Sequence, residues 1–91
     1  MAESKSVFPY KKGSKILIRS VSYFQSGEVV SANASFVRLT KAAWIADTSR
    51  FSDALKSGEF GEVEPFPKDV FVAIGAIVDM TEIPSLPTKQ K

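Results

Sequence analysis

Hydrophobic and polar residues alternate in several short runs of this chain, and a period of two indicates β-strands. The first run, residues 15–24, is rich in β-branched and aromatic side chains, which favour a pleated strand. Residues 25–27 (Gln-Ser-Gly) predict a hairpin turn, because Gly27 is free to take a positive φ. Residues 28–32 follow as the returning strand, so the pattern predicts an antiparallel hairpin near the start of the chain.

The alternation continues beyond this hairpin and predicts two more strands. Asn33 begins a second turn candidate, because asparagine tolerates the left-handed backbone region. In residues 36–40, Phe36 and Arg38 alternate with Val37 and Leu39, which predicts a third strand. Residues 42–46 are apolar around Trp44 and predict a fourth strand. We expect Trp44 to be half-buried under the helix that follows, and an anchor in an interface is the alternative.

The pattern then changes to helical spacing. Ser49 is a good N-cap, Phe51 and Leu55 lie four residues apart on one helix face, and Gly58 suits the position after the helix. A helix of about two turns is therefore expected, and it needs packing to be stable. Glycine and proline interrupt the loop that follows, so residues 47–68 form an acidic helix–loop insertion.

The last apolar stretch, residues 69–83, carries the strongest β pattern. Gly75 interrupts it, and we predict two strands that are joined or bent at this glycine. The fold class is mainly β: a small, strongly bent five-stranded barrel with one short helix inserted in the region between strands 4 and 5. This domain spans residues 15–83, between a flexible basic arm (1–14) and a flexible tail (84–91).

The amino-acid composition limits the metal binding and catalysis that the chain could carry out. The chain contains neither cysteine nor histidine, which removes the usual ligands of zinc and copper, and it contains no glycine-rich phosphate loop. General acid–base catalysis would fall to carboxylates that lie mostly in the acidic insertion, where solvation is their ordinary role. We therefore expect no enzyme, no catalytic residue, no metal and no cofactor.

The longest mostly apolar run, residues 70–78, is far shorter than the ~20 residues of a membrane-spanning helix. Residues 1–15 are polar and basic, unlike a signal peptide. We expect a soluble, cytoplasmic protein that does not enter a membrane. The net charge is +2, with cations concentrated near the start and acids in the second half. A basic arm can contact phosphates, and a solvated terminus is the alternative.

Two stretches resemble the Sm-like family. The first is residues 18–39, with Gly-Glu-Val at 27–29 followed by Asn33, Phe36 and Leu39; the second is residues 72–80, Val-Ala-Ile-Gly-Ala-Ile-Val-Asp-Met. The resemblance implies a homo-oligomeric ring of about five to seven copies, closed by pairing the last strands of neighbouring subunits. The expected interface residues are the apolar positions of those strands: Val70, Val72, Ile74, Ile77, Val78 and Met80.

The same resemblance implies binding of RNA or single-stranded nucleic acid. Asn33 stands at the family's turn position, and Phe36 is placed to stack on a base. Tyr10 with Lys11 and Lys12 in the arm is a further aromatic and basic group. The family's second Asn position and its Arg position carry Val37 and Ile74 instead.

The sequence is compatible with two functions. One is a ring that binds RNA. The other is a structural or protein-interaction ring, for example in a phage particle or a regulatory assembly, which docks a protein partner at the insertion (47–68). The second function predicts an exposed apolar patch around Trp44, Phe60 and Phe66.

Overall fold

The computed structural model describes residues 8–91 and shows an antiparallel sheet with one α-helix. Within this range the strands are β1 (Lys15–Ser20), β2 (Phe24–Ala32), β3 (Phe36–Asp47), β4 (Glu62–Pro65), β5 (Val70–Ala73) and β6 (Ile77–Glu82). The helix α1 (Phe51–Ser57) lies between β3 and β4, and a 3₁₀ turn (Ile74–Ala76) joins β5 to β6. The mainly β prediction is confirmed.

Strand β3 is shared by two partners on the same edge. The order is β4-β3-β2-β1-β6, and β5 also pairs with β3. The first part of β3 pairs with β5, from Phe36 opposite Ala73 to Leu39 opposite Val70. The second part pairs with β4, from Ala43 opposite Pro65 onwards. β5 pairs only with β3, and β6 only with β1, so hydrogen bonds between the described strands do not close the sheet into a barrel.

A bulge in β3 lies between the two pairing zones. Ser26 of β2 faces Ala43, and Glu28 faces Thr40, so two residues of β3 oppose the single residue Gly27. One of these two residues, Lys41, takes the left-handed region with φ of 53°. A bulge of this kind bends the strand and increases its twist. The predicted third and fourth strands are therefore one bent strand, and the sixth strand, β4, comes from the predicted loop.

The sheet is covered on both faces. The first core lies on the face that β5 and β6 close, and it contains Ile16, Ile18, Val29, Val37, Leu39, Ala42 and Val72. The helix-side core lies on the other face and contains Leu17, Ala43, Ile45, Ala54, Phe60, Val63 and Ile83. Three consecutive apolar residues at the centre of β1 are buried because they alternate between these two cores.

The helix ends where the sequence predicts. Gly58 has φ of 78°, and its N–H donates to the carbonyl of Ala54 at 2.7 Å, which closes the last turn. Its start differs: Arg50 is the N-cap residue and makes no side-chain cap, whereas Ser49 has φ of 60° and precedes it. No helix in residues 8–91 is long and apolar enough to cross a membrane.

The predicted turn at residues 25–27 is wrong. Gln25 and Ser26 are buried inside β2, and the turn between β1 and β2 lies earlier, where the N–H of Ser20 donates to the carbonyl of Tyr23 at 2.8 Å. Val21 in this turn is 86% exposed, so an apolar residue occupies a turn and polar residues occupy the strand. Because turns are usually polar and strands apolar, the hydrophobicity pattern predicts the turn at residues 25–27 and misses the turn that contains Val21.

The predicted flexible segments contact the body of the domain. Phe8 and Tyr10 pack against the first core, and residues 1–7 of the predicted arm lie outside the described residues. At the other end, Lys91 and Val63 exchange two backbone hydrogen bonds of 2.8 and 2.9 Å along the free edge of β4. Flexibility itself stays a prediction for both segments.

The close approach of Gly27 to Leu39, beside the β3 bulge, leads to a prediction about stability. A Cβ atom on Gly27 would lie 2.8 Å from the Cβ of Leu39, too close for the two strands to keep their register. We expect Gly27→Ala to lower the free energy of unfolding by roughly 2 kcal/mol, as overpacking does elsewhere. Urea unfolding followed by circular dichroism measures this difference.

The matched control is Gly75→Ala, because nothing lies within 4 Å of a Cβ at Gly75 and its φ is not positive. That substitution should change stability by less than about 0.5 kcal/mol. Equal effects of the two substitutions would contradict the assigned packing of Gly27 on Leu39.

Candidate functional site

Exposed apolar side chains concentrate at one end of the sheet, beside the β1–β2 turn. We define the aromatic surface as Val21, Tyr23, Trp44, Phe66 and Phe71, which are all at least partly exposed. Three neighbouring depressions of about 490, 460 and 290 Å³ open on this surface, and Tyr23 lines all three. Isolated apolar residues are common on protein surfaces, whereas a continuous patch marks a binding site.

Strand alternation explains why Trp44 is exposed. Its neighbours Ala43 and Ile45 point into the helix-side core, so Trp44 lies on the opposite face from α1. There it is 42% exposed, and its ring meets Tyr23 edge-on with 5.9 Å between the ring centroids. The expectation that Trp44 lies under the helix is therefore wrong. The helix instead covers Phe60, which is 1% exposed and lies outside the aromatic surface.

Three strands place a row of different side chains across this surface. Gln25 of β2 is opposite Trp44 of β3, and Trp44 is opposite Glu64 of β4. Residues directly opposite each other in an antiparallel pair share a face, with Cβ atoms about 5 Å apart. A carboxamide, an indole and a carboxylate therefore follow one another across the sheet. Gln25 is almost fully buried, yet it lines the 460 Å³ depression together with Tyr23 and Phe66.

Two arginines that border the aromatic surface are already paired. Arg19 binds Asp79 through both its Nε and Nη2 atoms, and this hydrogen bond lowers the pKa of Asp79 and raises that of Arg19. Arg38 donates from Nε to Asp69 at 2.8 Å, and its guanidinium lies 5.6 Å from the centroid of the Phe71 ring.

The third ion pair of the described chain joins Lys41 to Glu28. Glu64 belongs to none of the three pairs that residues 8–91 form. It lines the 290 Å³ depression with Tyr23, Trp44, Pro65 and Phe66. Glu64 is therefore a carboxylate at the edge of the aromatic surface that no cation of residues 8–91 pairs.

The predicted nucleic-acid residues lie elsewhere on the domain. The Oδ1 atom of Asn33 accepts from the N–H groups of Ser35 and Phe36 at 2.7 and 2.8 Å, so its carbonyl closes the β2–β3 turn. Phe36 follows this turn with an exposed ring. Because both lone pairs of a carbonyl oxygen are engaged, Asn33 retains only its amide donors for a base.

The arm residues have divided roles. Tyr10 packs against the first core, meets Phe8 edge-on, and its hydroxyl donates to the carbonyl of Met80 at 3.4 Å. Lys11 and Lys12 are exposed. The ring of Tyr10 therefore stabilises the fold, while the two lysines remain open to a partner.

The predicted interface residues mostly contribute to the chain's own core. Val72 is buried in the first core, and four others pack against it: Val70, Ile74, Ile77 and Met80. Val78 is 55% exposed. A role in pairing subunits stays a prediction and would use the backbone edges of these strands more than their side chains.

Searches against protein-family models, curated proteins and solved structures gave no match for this chain. Among residues 8–91, no group of three or more acidic side chains is arranged to hold a metal ion. The function therefore has to be inferred from the geometry of the aromatic surface.

The contact between Tyr23 and Trp44 generates a second prediction. Aromatic pairs of this geometry contribute about 1 kcal/mol beyond the area that they bury. In a double-mutant cycle, Tyr23→Ala and Trp44→Ala should couple by that amount in urea unfolding, with each single variant still folded. Trp44→Ala and Phe51→Ala should be additive, because α1 holds Phe51 on the opposite face. Additivity in both cycles would show that the Tyr23–Trp44 contact does not form in solution.

Proposed function

We propose that this chain is a non-enzymatic binding domain that docks an apolar segment of a partner protein on the aromatic surface. The observation that carries the proposal is the concentration of exposed Val21, Tyr23, Trp44, Phe66 and Phe71 around three neighbouring depressions that share Tyr23. Aromatic residues are enriched where proteins bind one another, and they bury a large area with little loss of side-chain entropy.

Charge favours a protein ligand over a nucleic acid at this surface. Arg19 and Arg38 border it, but each is already bound to an aspartate. Glu64 adds a negative charge with no cation among the described ion pairs. A phosphate backbone needs several free cations, and here it would meet a carboxylate.

The side chains of the depressions also favour binding over catalysis. The polar side chains that line them carry serine hydroxyls, the Tyr23 hydroxyl, the Trp44 indole N–H, the Gln25 carboxamide, the Glu64 carboxylate and the guanidinium of Arg19, which is paired with Asp79. A serine nucleophile needs an adjacent general base, and the sequence contains no histidine to supply one. Recognition of a partner is the role that this set of groups fits.

Capture of a partner from cells that express the protein tests the proposal. We expect wild type and Phe51→Ser to retain the same partner, and Trp44→Ser to lose it. Phe51 is the matched control because it is 46% exposed, against 42% for Trp44, but lies on α1. With the purified partner, Trp44→Ser should weaken binding at least about tenfold, the effect of truncating an interface anchor.

Circular dichroism must show that both variants are folded. Retention of the partner by Trp44→Ser would refute docking on the aromatic surface. Loss of the partner by Phe51→Ser alone would move the interface to the helix side.

A second candidate is an Sm-like ring that binds RNA. Exposed Lys11 and Lys12 and the exposed ring of Phe36 favour it. In the described chain, β5 and β6 each pair with one neighbour only, so each leaves an edge that a second copy could extend. These observations support assembly and phosphate contact without involving the aromatic surface.

Light scattering after size exclusion, with polarisation titration of oligo-U, tests the ring. The ring predicts a mass of about five to seven copies. Removal of each phosphate-contacting lysine should reduce the slope of log affinity against log salt concentration by about one. Lys11→Ala and Lys12→Ala should therefore reduce it, whereas Lys89→Ala, beside Pro87 and Thr88, should leave it unchanged. A monomer that fails to bind oligo-U at low salt contradicts this candidate.

A further inference from the structure

We propose that the row Gln25–Trp44–Glu64 recognises an extended, basic segment of the partner protein. This inference rests on the proposed function and specifies the ligand of the same surface. Gln25 binds the main chain of the segment, Trp44 packs against an apolar side chain, and Glu64 binds a lysine or arginine. The cross-strand register places the three groups in that order on one face.

Gln25 supplies the contact to the main chain. The residue is 3% exposed, but it lines the 460 Å³ depression between Tyr23 and Phe66. Its carboxamide offers both a donor and an acceptor, as one peptide unit does. A ligand that filled the depression without a polar group would dehydrate this carboxamide at a cost, so the site selects a segment that presents its backbone.

Trp44 supplies the apolar contact at the centre of the row. Its edge-on packing against Tyr23 fixes the indole while leaving it 42% exposed. Pro65 and Phe66 line the same depression and extend the apolar area beside it. A rigid aromatic ring held in this way binds an aliphatic or proline side chain with little loss of entropy.

Glu64 supplies the charge. It takes part in none of the ion pairs within residues 8–91, and four of the groups around it are aromatic or apolar: Tyr23, Trp44, Pro65 and Phe66. Such surroundings lower the local dielectric when a ligand covers them, which strengthens attraction to a cation. The charge complementary to this end of the row is therefore positive.

The spacing of the row favours an extended ligand. Gln25 and Glu64 are two strand spacings apart, roughly 10 Å. An extended chain covers that distance in about three residues, at ~3.3 Å for each residue. We therefore expect the cation about three residues from the peptide unit that Gln25 binds, with an apolar side chain between them.

Selection from a random library of twelve-residue peptides on the full-length chain tests the inference. We expect the enriched peptides to carry a lysine or arginine about one or two residues from an apolar side chain, because Trp44 lies between Gln25 and Glu64 in the row and each extended residue spans ~3.3 Å. In titrations of one such peptide, Glu64→Gln should weaken binding about fivefold, as loss of an exposed ion pair does, and Gln25→Leu should weaken it as well. The matched control is Glu59→Gln, because Glu59 lines the separate depression beside residues 85–89.

Charge reversal provides the sharper comparison. Glu64→Lys should abolish binding of the basic peptide and restore binding of the same peptide with its cation changed to glutamate. Binding that depends on Trp44 but is unchanged by Glu64 and Gln25 substitutions would overturn the inference and leave the docking function standing. Enriched peptides that bind independently of Trp44, or no enrichment at all, would count against both.

Discussion

The close approach of Gly27 to Leu39 is the constraint on which the arrangement of strands depends. Only glycine lets β2 lie this near to β3, and the bulge opposite it puts Lys41 in the left-handed region. The bend falls between the part of β3 that pairs with β5 and the part that pairs with β4. One strand can therefore hold two partners on the same edge, and the second zone carries Trp44 and Glu64.

The two cores follow from this sheet. Strand β1 pairs with β2 and β6, and its central residues are buried on both faces. Covering the second face requires α1, β4 and Ile83, which together surround Phe60. The acidic insertion is therefore part of the core and leaves the aromatic surface uncovered on the opposite face. A chain of 91 residues gains from this arrangement, because small domains bury a limited share of their surface.

Much of the β structure could be predicted from alternation, including the strands on either side of Gly75 and the helix end at Gly58. The candidate site could not be predicted, because it depends on the register in which β3 pairs with its neighbouring strands. An exposed Val21 in a turn and a buried Gln25 in a strand reverse the usual order of apolar and polar residues, so hydrophobicity predicts the turn too late in the chain. The sequence predicts Trp44 and Phe60 in one exposed patch, but the register of β3 and the position of α1 separate them. Hydrophobicity alone does not specify which face of a sheet a helix will cover.

The exposed apolar residues and the buried Gln25 beside the β1–β2 turn are the strongest physical reason to place function at this end of the sheet. Exposing valine and aromatic side chains and burying a carboxamide both lower stability, so stability alone gives no reason to combine them. Ser26, next to Gln25, has a fully buried hydroxyl with no hydrogen-bond partner in the described structure, which adds a further cost. Local departures from otherwise consistent patterning concentrate at functional sites. Here they coincide with the row of amide, indole and carboxylate, and a bound peptide would cover the exposed rings and hydrogen-bond to the Gln25 amide together.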